Sequence, residues 1–199
     1  MTRSRYAKAL HEALTPLGFI RHKDDWVRIR GEIWECVNRQ SSWVGAGVTA
    51  NLMVRNLETE RLYVEIFQAK GVIGMPWGAS TRIGTLIDGY DRWWPKDEPN
   101  GPAEMADAVL QYGVPWFDRA RSLEEQAELW YGREGAITRR GYHGPSLVGL
   151  ALTLFRMGEF DEALEVTKKP VPRTAIASSV EMVAQVRAWL ERQLRKSLD

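Results

Sequence analysis

The chain has 199 residues, 44% hydrophobic and 27% charged, with a formal net charge of +1. That length holds one large domain or a domain with a helical appendage, and that apolar fraction supports a sizeable core, which excludes disorder as the governing state. The near-neutral balance removes any global electrostatic reason to expect nucleic acid or an anionic membrane, and the single cysteine, Cys36, excludes an intramolecular disulfide and argues against a thiolate zinc site.

A lone cysteine fits a reducing cytoplasm. The first residues, MTRSRYAKALHEAL, are too polar for a secretory signal, and no apolar run approaches membrane-spanning length. The first predicted element is a helix over residues 5–15, capped by Ser4. Tyr6, Leu10, Ala13, Leu14 and Leu17 keep helical spacing, and Pro16 and Gly18 stop it.

Strands follow. Residues 19–23 are short. Residues 26–30 alternate, with Val27 and Ile29 opposite Trp26, Arg28 and Arg30. A turn at Gly31-Glu32 leads into 33–40, so the two runs make a hairpin. Residues 46–54 and 62–68 read as two more strands, joined by the polar stretch 55–61. In these, Val48, Ala50, Leu52 and Val54 share a face, as do Leu62, Val64 and Ile66. An aliphatic face needs a covering helix, and the N-terminal one is available. The opposite face carries Thr49, Asn51, Met53, Tyr63, Glu65 and Phe67. If Trp34, Cys36, Asn38 and Gln40 join it, the sheet has one aromatic and polar surface, suited to a ligand or partner or else covered by C-terminal helices.

Residues 71–80 (GVIGMPWGAS) read as a loop without a phosphate-loop pattern. The stretch 82–96, RIGTLIDGYDRWWPK, joins a strand-rich half to a helical half. Asp88-Gly89 signals a turn, and residues 92–94 form a last short strand ended by Pro95. Adjacent Trp93 and Trp94 supply buried area there, or one of them walls a binding site. The nine tryptophans are spread along the chain, which favours a core role for most.

From Asn100 the pattern is helical. Met105, Ala108, Val109 and Tyr112 share a face, Gly113 and Pro115 interrupt it, and Trp116 and Phe117 resume it. Ser122 and Glu125 mark a capping box for a helix to about residue 131. A glycine- and arginine-rich loop spans 132–145. A helical hairpin broken at Gly158 follows, and a final helix spans about 175–198. The expected class is α+β: an N-terminal helix on an antiparallel sheet of five or six strands, then a helical hairpin and a long final helix. The expected division is an α+β domain over 1–131 and a helical part over 145–199, packed on it.

Two resemblances follow from particular residues. LTPLGF (14–19), the Trp26 strand, VNRQSSW (37–43), RIGTL (82–86), DRWWP (91–95) and YGVPWFDR (112–119) occur in an order that resembles the bacterial domain of unknown function 4304 family, over about residues 5–129. The resemblance implies an α+β domain with an antiparallel sheet and carries over no catalytic residue. LALTLFRMGEFDEALE (150–165) is similar to part of a tetratricopeptide repeat, but no second unit recurs about 34 residues on, so one hairpin is expected and not an array.

Chemistry is sparse. His11, His22 and His143 lack metal-ligand spacing, so no metal or cofactor is expected. Cys36 would need a neighbouring histidine to act as a nucleophile, and a strand cysteine is usually buried and inert. Arg139, Arg140, Tyr142 and His143, and separately Arg21, Lys23, Arg28 and Arg30, have an anion-contact composition but read more simply as solvated surface, so nucleic acid is not expected. The leading expectation is a non-catalytic module that contacts a protein partner through Gln40, Asn51, Tyr63, Arg82, Asp91, Arg92, Trp93 and Trp94. The alternative is a small-ligand binder or enzyme with a cleft lined by Arg82, Asp88, Asp91 and Arg92.

Overall fold

The computed structural model describes residues 4–43, 45, 47–68, 79–131, 144–170 and 177–196. The chain divides into two units, each assembled from two stretches. Unit 1 is Met1–Val54 with Ser80–Arg119, and unit 2 is Arg55–Ala79 with Ala120–Asp199.

Unit 1 opens with α1 (Arg5–Leu14), whose helical spacing buries Tyr6, Ala7, Leu10 and Leu14. Ser4 occupies the N-cap, yet only its backbone carbonyl is used, accepting from Lys8 N at 3.1 Å. A tight turn at Thr15–Leu17 and Gly18 in the left-handed region (φ 85°) end the helix. The strands are β1 (Ile20–His22), β2 (Asp25–Arg30), β3 (Ile33–Ser41), β4 (Gly47–Asn56), β5 (Ala79–Arg82) and the two-residue β6 (Trp94–Pro95). Their order is β1-β2-β3-β4-β5, with β6 also on β4. The β1/β2, β2/β3 and β4/β6 pairs are antiparallel, with Trp26 opposite Val37 and Val48 opposite Trp94.

Period-2 alternation fixes the two faces of this sheet. Val48, Ala50, Leu52 and Val54 are all buried to within 1% on one of them. The same face carries Glu35, which is fully buried. Arg28 Nε donates to its Oε2 at 2.7 Å and Arg30 Nε to its Oε1 at 2.8 Å, while Arg30 Nη1 reaches Asp118 Oδ1 at 2.8 Å. Two of the four arginine or lysine residues that composition placed in a basic surface patch are thus committed to a buried carboxylate.

Helix α4 (Gly101–Ala108) packs against α1 and buries Met105 and Ala106. Gly113 and Pro115 do not interrupt the helical path as the sequence suggests. A π turn at Val109–Gly113 carries the chain into α5 (Val114–Arg119). A side chain at Gly113 would meet Leu52 Cδ1 at 3.2 Å, so the glycine lets this rod lie against the aliphatic sheet face. Phe117 and Phe19 close the core, with ring centroids 5.9 Å apart.

Unit 2 contains the main correction to the sequence reading. Residues 62–68 are not a strand. Residues 62–67 belong to helix α2 (Leu57–Phe67), and Gln68 is its left-handed C-cap. Asn56 caps it, its Oδ1 accepting from Glu58 N at 3.0 Å and Thr59 N at 3.1 Å, and Glu58 and Glu60 complement the dipole in the first turn. Tyr63 therefore leaves the sheet face. It is buried in a core with Leu147, Leu150, Leu154, Val183 and Val186, and its ring lies 4.3 Å from Phe67, one turn on. The remaining helices are α6 (Leu123–Tyr131), α7 (Gly144–Met157), α8 (Phe160–Lys168) and α9 (Ala177–Lys196). Ser122 Oγ accepts from Glu125 N at 3.1 Å, as the capping-box spacing predicts. The α7/α8 hairpin turns at Gly158 (φ 86°), and Phe155 packs on Trp189 of α9 at 4.7 Å. No helix among the described residues is long and apolar enough to cross a membrane.

Glu60 makes unit 2 sensitive to pH. It is 4% exposed, with Arg55 Nη1 3.0 Å from Oε1. Burial pushes its carboxyl pKa up, and the Arg55 guanidinium offsets this only in part. A raised folded value means that the group's favourable contribution is complete below the ordinary carboxylate value and is lost as pH rises through the folded one. Glu60→Gln removes that titration. The melting temperature of the variant relative to the unsubstituted protein should climb as pH is raised from the ordinary carboxylate value, about 4, towards neutrality. A difference that stays flat over that range would show that Glu60 carries no such cost.

Candidate functional site

The eight residues singled out from sequence do not converge on one spot. Five meet on one face of the sheet, two lie in a neighbouring groove, and Tyr63 belongs to the core of unit 2.

Strand alternation places Asn38 and Gln40 of β3 beside Asn51 of β4. Asn51 Nδ2 donates to Asn38 Oδ1 and Gln40 Oε1, both at 3.0 Å. Asn51 Oδ1 accepts from Arg82 Nε at 3.3 Å. Arg82 ends β5 and precedes α3 (Ile83–Asp88), so its side chain spans from the amide row to the α3–β6 connection. There Nη1 pairs with Asp91 Oδ2, and the guanidinium lies over the Trp93 ring, 5.4 Å from its centroid. Gln40, Asn51, Arg82, Asp91 and Trp93 are thus one connected surface. Its residues are half-buried, apart from exposed Asp91. Asn38 Nδ2 in turn donates to Asp25 Oδ1 at 2.6 Å, which anchors the amide row to β2.

One exposed indole was not singled out by sequence reasoning, which favoured a core role for most of the nine tryptophans. Trp43 sits in the β3–β4 connection and is fully exposed, at 103%. Ser42 N donates to Gly47 O at 2.9 Å and Gly45 N to Ser42 O at 3.0 Å, which ties the described residues Ser42, Gly45 and Gly47 together. Gly47 pairs with Pro95, and a side chain there would lie 3.1 Å from Trp93 Cβ, so the base of this connection rests on Trp93. Its signal in the sequence is the run SSWVGAG, whose serines and glycines are turn-forming residues around a lone tryptophan.

The core reading holds for Trp26, Trp94, Trp116 and Trp189, all at most 6% exposed. Trp34 and Trp93 are half-buried, and Trp77 lies outside the described residues. Trp94 lines an open groove of about 390 Å³ with Ile87, Arg92, Glu104, Asp107, Gln111 and Tyr112. The groove lies between the α3–β6 connection on one side and α4 with its π turn on the other. Arg92 Nη1 is 3.5 Å from Asp88 Oδ2, and its guanidinium lies over the Trp94 ring at 5.1 Å.

Asp88 and Asp91 therefore each contact a different arginine. The four charged residues of the alternative cleft thus form two ion pairs, Arg82 with Asp91 and Arg92 with Asp88. Cys36 is buried on β3, His11 Nδ1 lies 3.0 Å from Thr15 Oγ1 on α1, and His22 is on the edge strand β1. Arg139, Arg140, Tyr142 and His143 lie outside the described residues.

The family described as domain of unknown function (DUF4304) matches residues 10–119, more than half of the chain. The chain belongs to the DUF4304 family. The match ends at Arg119, the last residue of unit 1, and takes in both the polar sheet face and the groove. The family segments VNRQSSW, RIGTL and DRWWP supply, in order, Gln40 and Trp43, then Arg82, then Asp91, Arg92, Trp93 and Trp94. No curated protein and no solved structure matches the chain.

Proposed function

We propose that this DUF4304 protein is a non-catalytic cytoplasmic module of a bacterial cell, and that it contacts a protein partner through the surface formed by Trp43, Trp93, Arg82, Asp91, Gln40 and Asn51. The observation that carries this reading is Trp43, an indole that lies wholly in water in the β3–β4 connection. Burying such a ring gains about 4–6 kcal/mol of gross transfer free energy. A chain that leaves the gain unused in its own fold has it available for association. The neighbouring groups suit the same use. Tryptophan and arginine are the side chains most enriched where interface energy concentrates, and Arg82 is already oriented by Asn51, Asp91 and Trp93, so little of its rotamer freedom remains to be lost on binding.

The test compares affinity capture from the native host by the unsubstituted protein, by Trp43→Ala and by Arg82→Ala. A protein retained by the first should be lost from Trp43→Ala with a drop in affinity of about 30-fold or more, the equivalent of a 2 kcal/mol anchor. The melting temperature of that variant should stay put. An identical set of captured proteins from all three would refute this surface as the contact.

A further inference from the structure

The groove beside Trp94 has a chemistry of its own, on residues other than those of the Trp43–Trp93 surface. Glu104 and Asp107 stand three residues apart on α4, so their carboxylates share one helix face. Both are exposed, and among the described residues neither makes an ion pair. The cation in the lining, Arg92, is already engaged by Asp88 and by the Trp94 ring. What remains for an occupant is two uncommitted carboxylates facing an apolar and aromatic wall of Ile87, Trp94 and Tyr112.

The occupant's charge follows from this pairing. An anion would meet repulsion from Glu104 and Asp107. A purely apolar group would strip water from both carboxylates and return no hydrogen bond. A guanidinium or ammonium on an alkyl stem meets both demands: the methylenes cover Ile87 and Trp94, while the head lies among the carboxylates and beside an aromatic face. A volume of about 390 Å³ lies at the lower end of the range for ligand pockets and has room for one long side chain with its flanking backbone. We infer that this groove receives an arginine or lysine side chain of a protein partner, with Glu104 and Asp107 as its counter-charges.

The test uses the full chain, isotope-labelled, titrated with the pentapeptides acetyl-Gly-Ser-Arg-Ser-Gly-amide, its Lys analogue and its Gln analogue, with NMR signals of Trp94, Gln111 and Tyr112 as readout. The Arg and Lys peptides should shift these signals saturably and the Gln peptide should not. The Glu104→Gln/Asp107→Asn double variant, changed only at exposed positions, should weaken binding at least tenfold, and raised salt should weaken it further. Glu128→Gln, an exposed carboxylate on α6, should leave binding unchanged, which ties the effect to the two groove carboxylates. Absence of saturable shifts with the basic peptides, shifts that persist in the double variant, or equal binding of free argininamide would each overturn the inference, the last by making the groove a small-amine site.

Discussion

Gly84→Ala is expected to cost unit 1 about 3 kcal/mol or more, at the upper end of what overpacking does. A methyl at Gly84 would stand 2.3 Å from Arg92 N, 2.5 Å from Arg92 Cβ and 2.7 Å from Tyr90 O. Two of these atoms are backbone, so no rotamer change relieves the overlap. Either α3 or the segment carrying Tyr90 to Arg92 must move. Both courses disturb the site, because Arg82 enters α3 directly and pairs with Asp91 across the same contact. Gly89→Ala is the comparison. Gly89 is left-handed (φ 73°) with open space around its Cβ position, so it should lose only the backbone term of about 1–2 kcal/mol. Urea unfolding followed by indole fluorescence ranks the two. Equal losses, or a larger loss at Gly89, would show that α3 does not pack on the 90–92 backbone as described. The close approach also explains why RIGTL and DRWWP belong together: the glycine of the first is the space occupied by the backbone of the second.

Strong periodic signals were legible in the sequence wherever one face is buried. The stripe of Tyr6, Leu10 and Leu14 gave α1, and the alternation of Val48, Ala50, Leu52 and Val54 gave β4 and its inside. Helix α2 was misread because Leu62, Val64 and Ile66 alternate as a strand would. The same stretch also carries Leu62, Tyr63, Ile66 and Phe67 at helical spacing, behind an Asn56 cap and two acidic first-turn residues. Short apolar runs satisfy both periods, and here the cap decides. The π turn was not legible, since it depends on Gly113 meeting Leu52, a contact between positions 61 residues apart in the chain.

The site divides along the same line. Gln40 with Asn51 follows from strand alternation, and Arg82 with Asp91 from charge proximity, so that half of the surface could be read directly. Tyr63 fell out with the α2 error. Trp43 was not singled out, because a spread of nine tryptophans that favours a core role for most does not say which one lies in solvent. The groove was invisible for another reason: Glu104 and Asp107 meet Trp94 only because α4 and β6 are neighbours in the fold.

Trp94→Ala is expected to destabilise the protein by about 3–5 kcal/mol, the range for emptying a buried aromatic site. Trp94 is 3% exposed, lies opposite Val48 in the sheet, and adjoins Pro95, whose carbonyl accepts from the Tyr6 hydroxyl at 2.6 Å. Among the described residues its indole nitrogen is buried without a hydrogen-bond partner, so the loss is chiefly one of packing and transfer. Trp94→Phe should accordingly recover much of the stability, because it keeps an aromatic ring in the space and surrenders no hydrogen bond. Trp43→Ala provides the opposite control: a solvated ring contributes within about 0.5 kcal/mol to the fold. The two tryptophans thus separate folding from recognition. Chemical denaturation should show a large loss for Trp94→Ala and none for Trp43→Ala, while capture of the partner should fail for Trp43→Ala in a fully folded protein. A Trp94→Ala variant that keeps its unfolding midpoint and loses the partner would mean that the buried indole is an anchor exposed on binding, and that the core of unit 1 is held by α1, α4 and the aliphatic face of β4 without it.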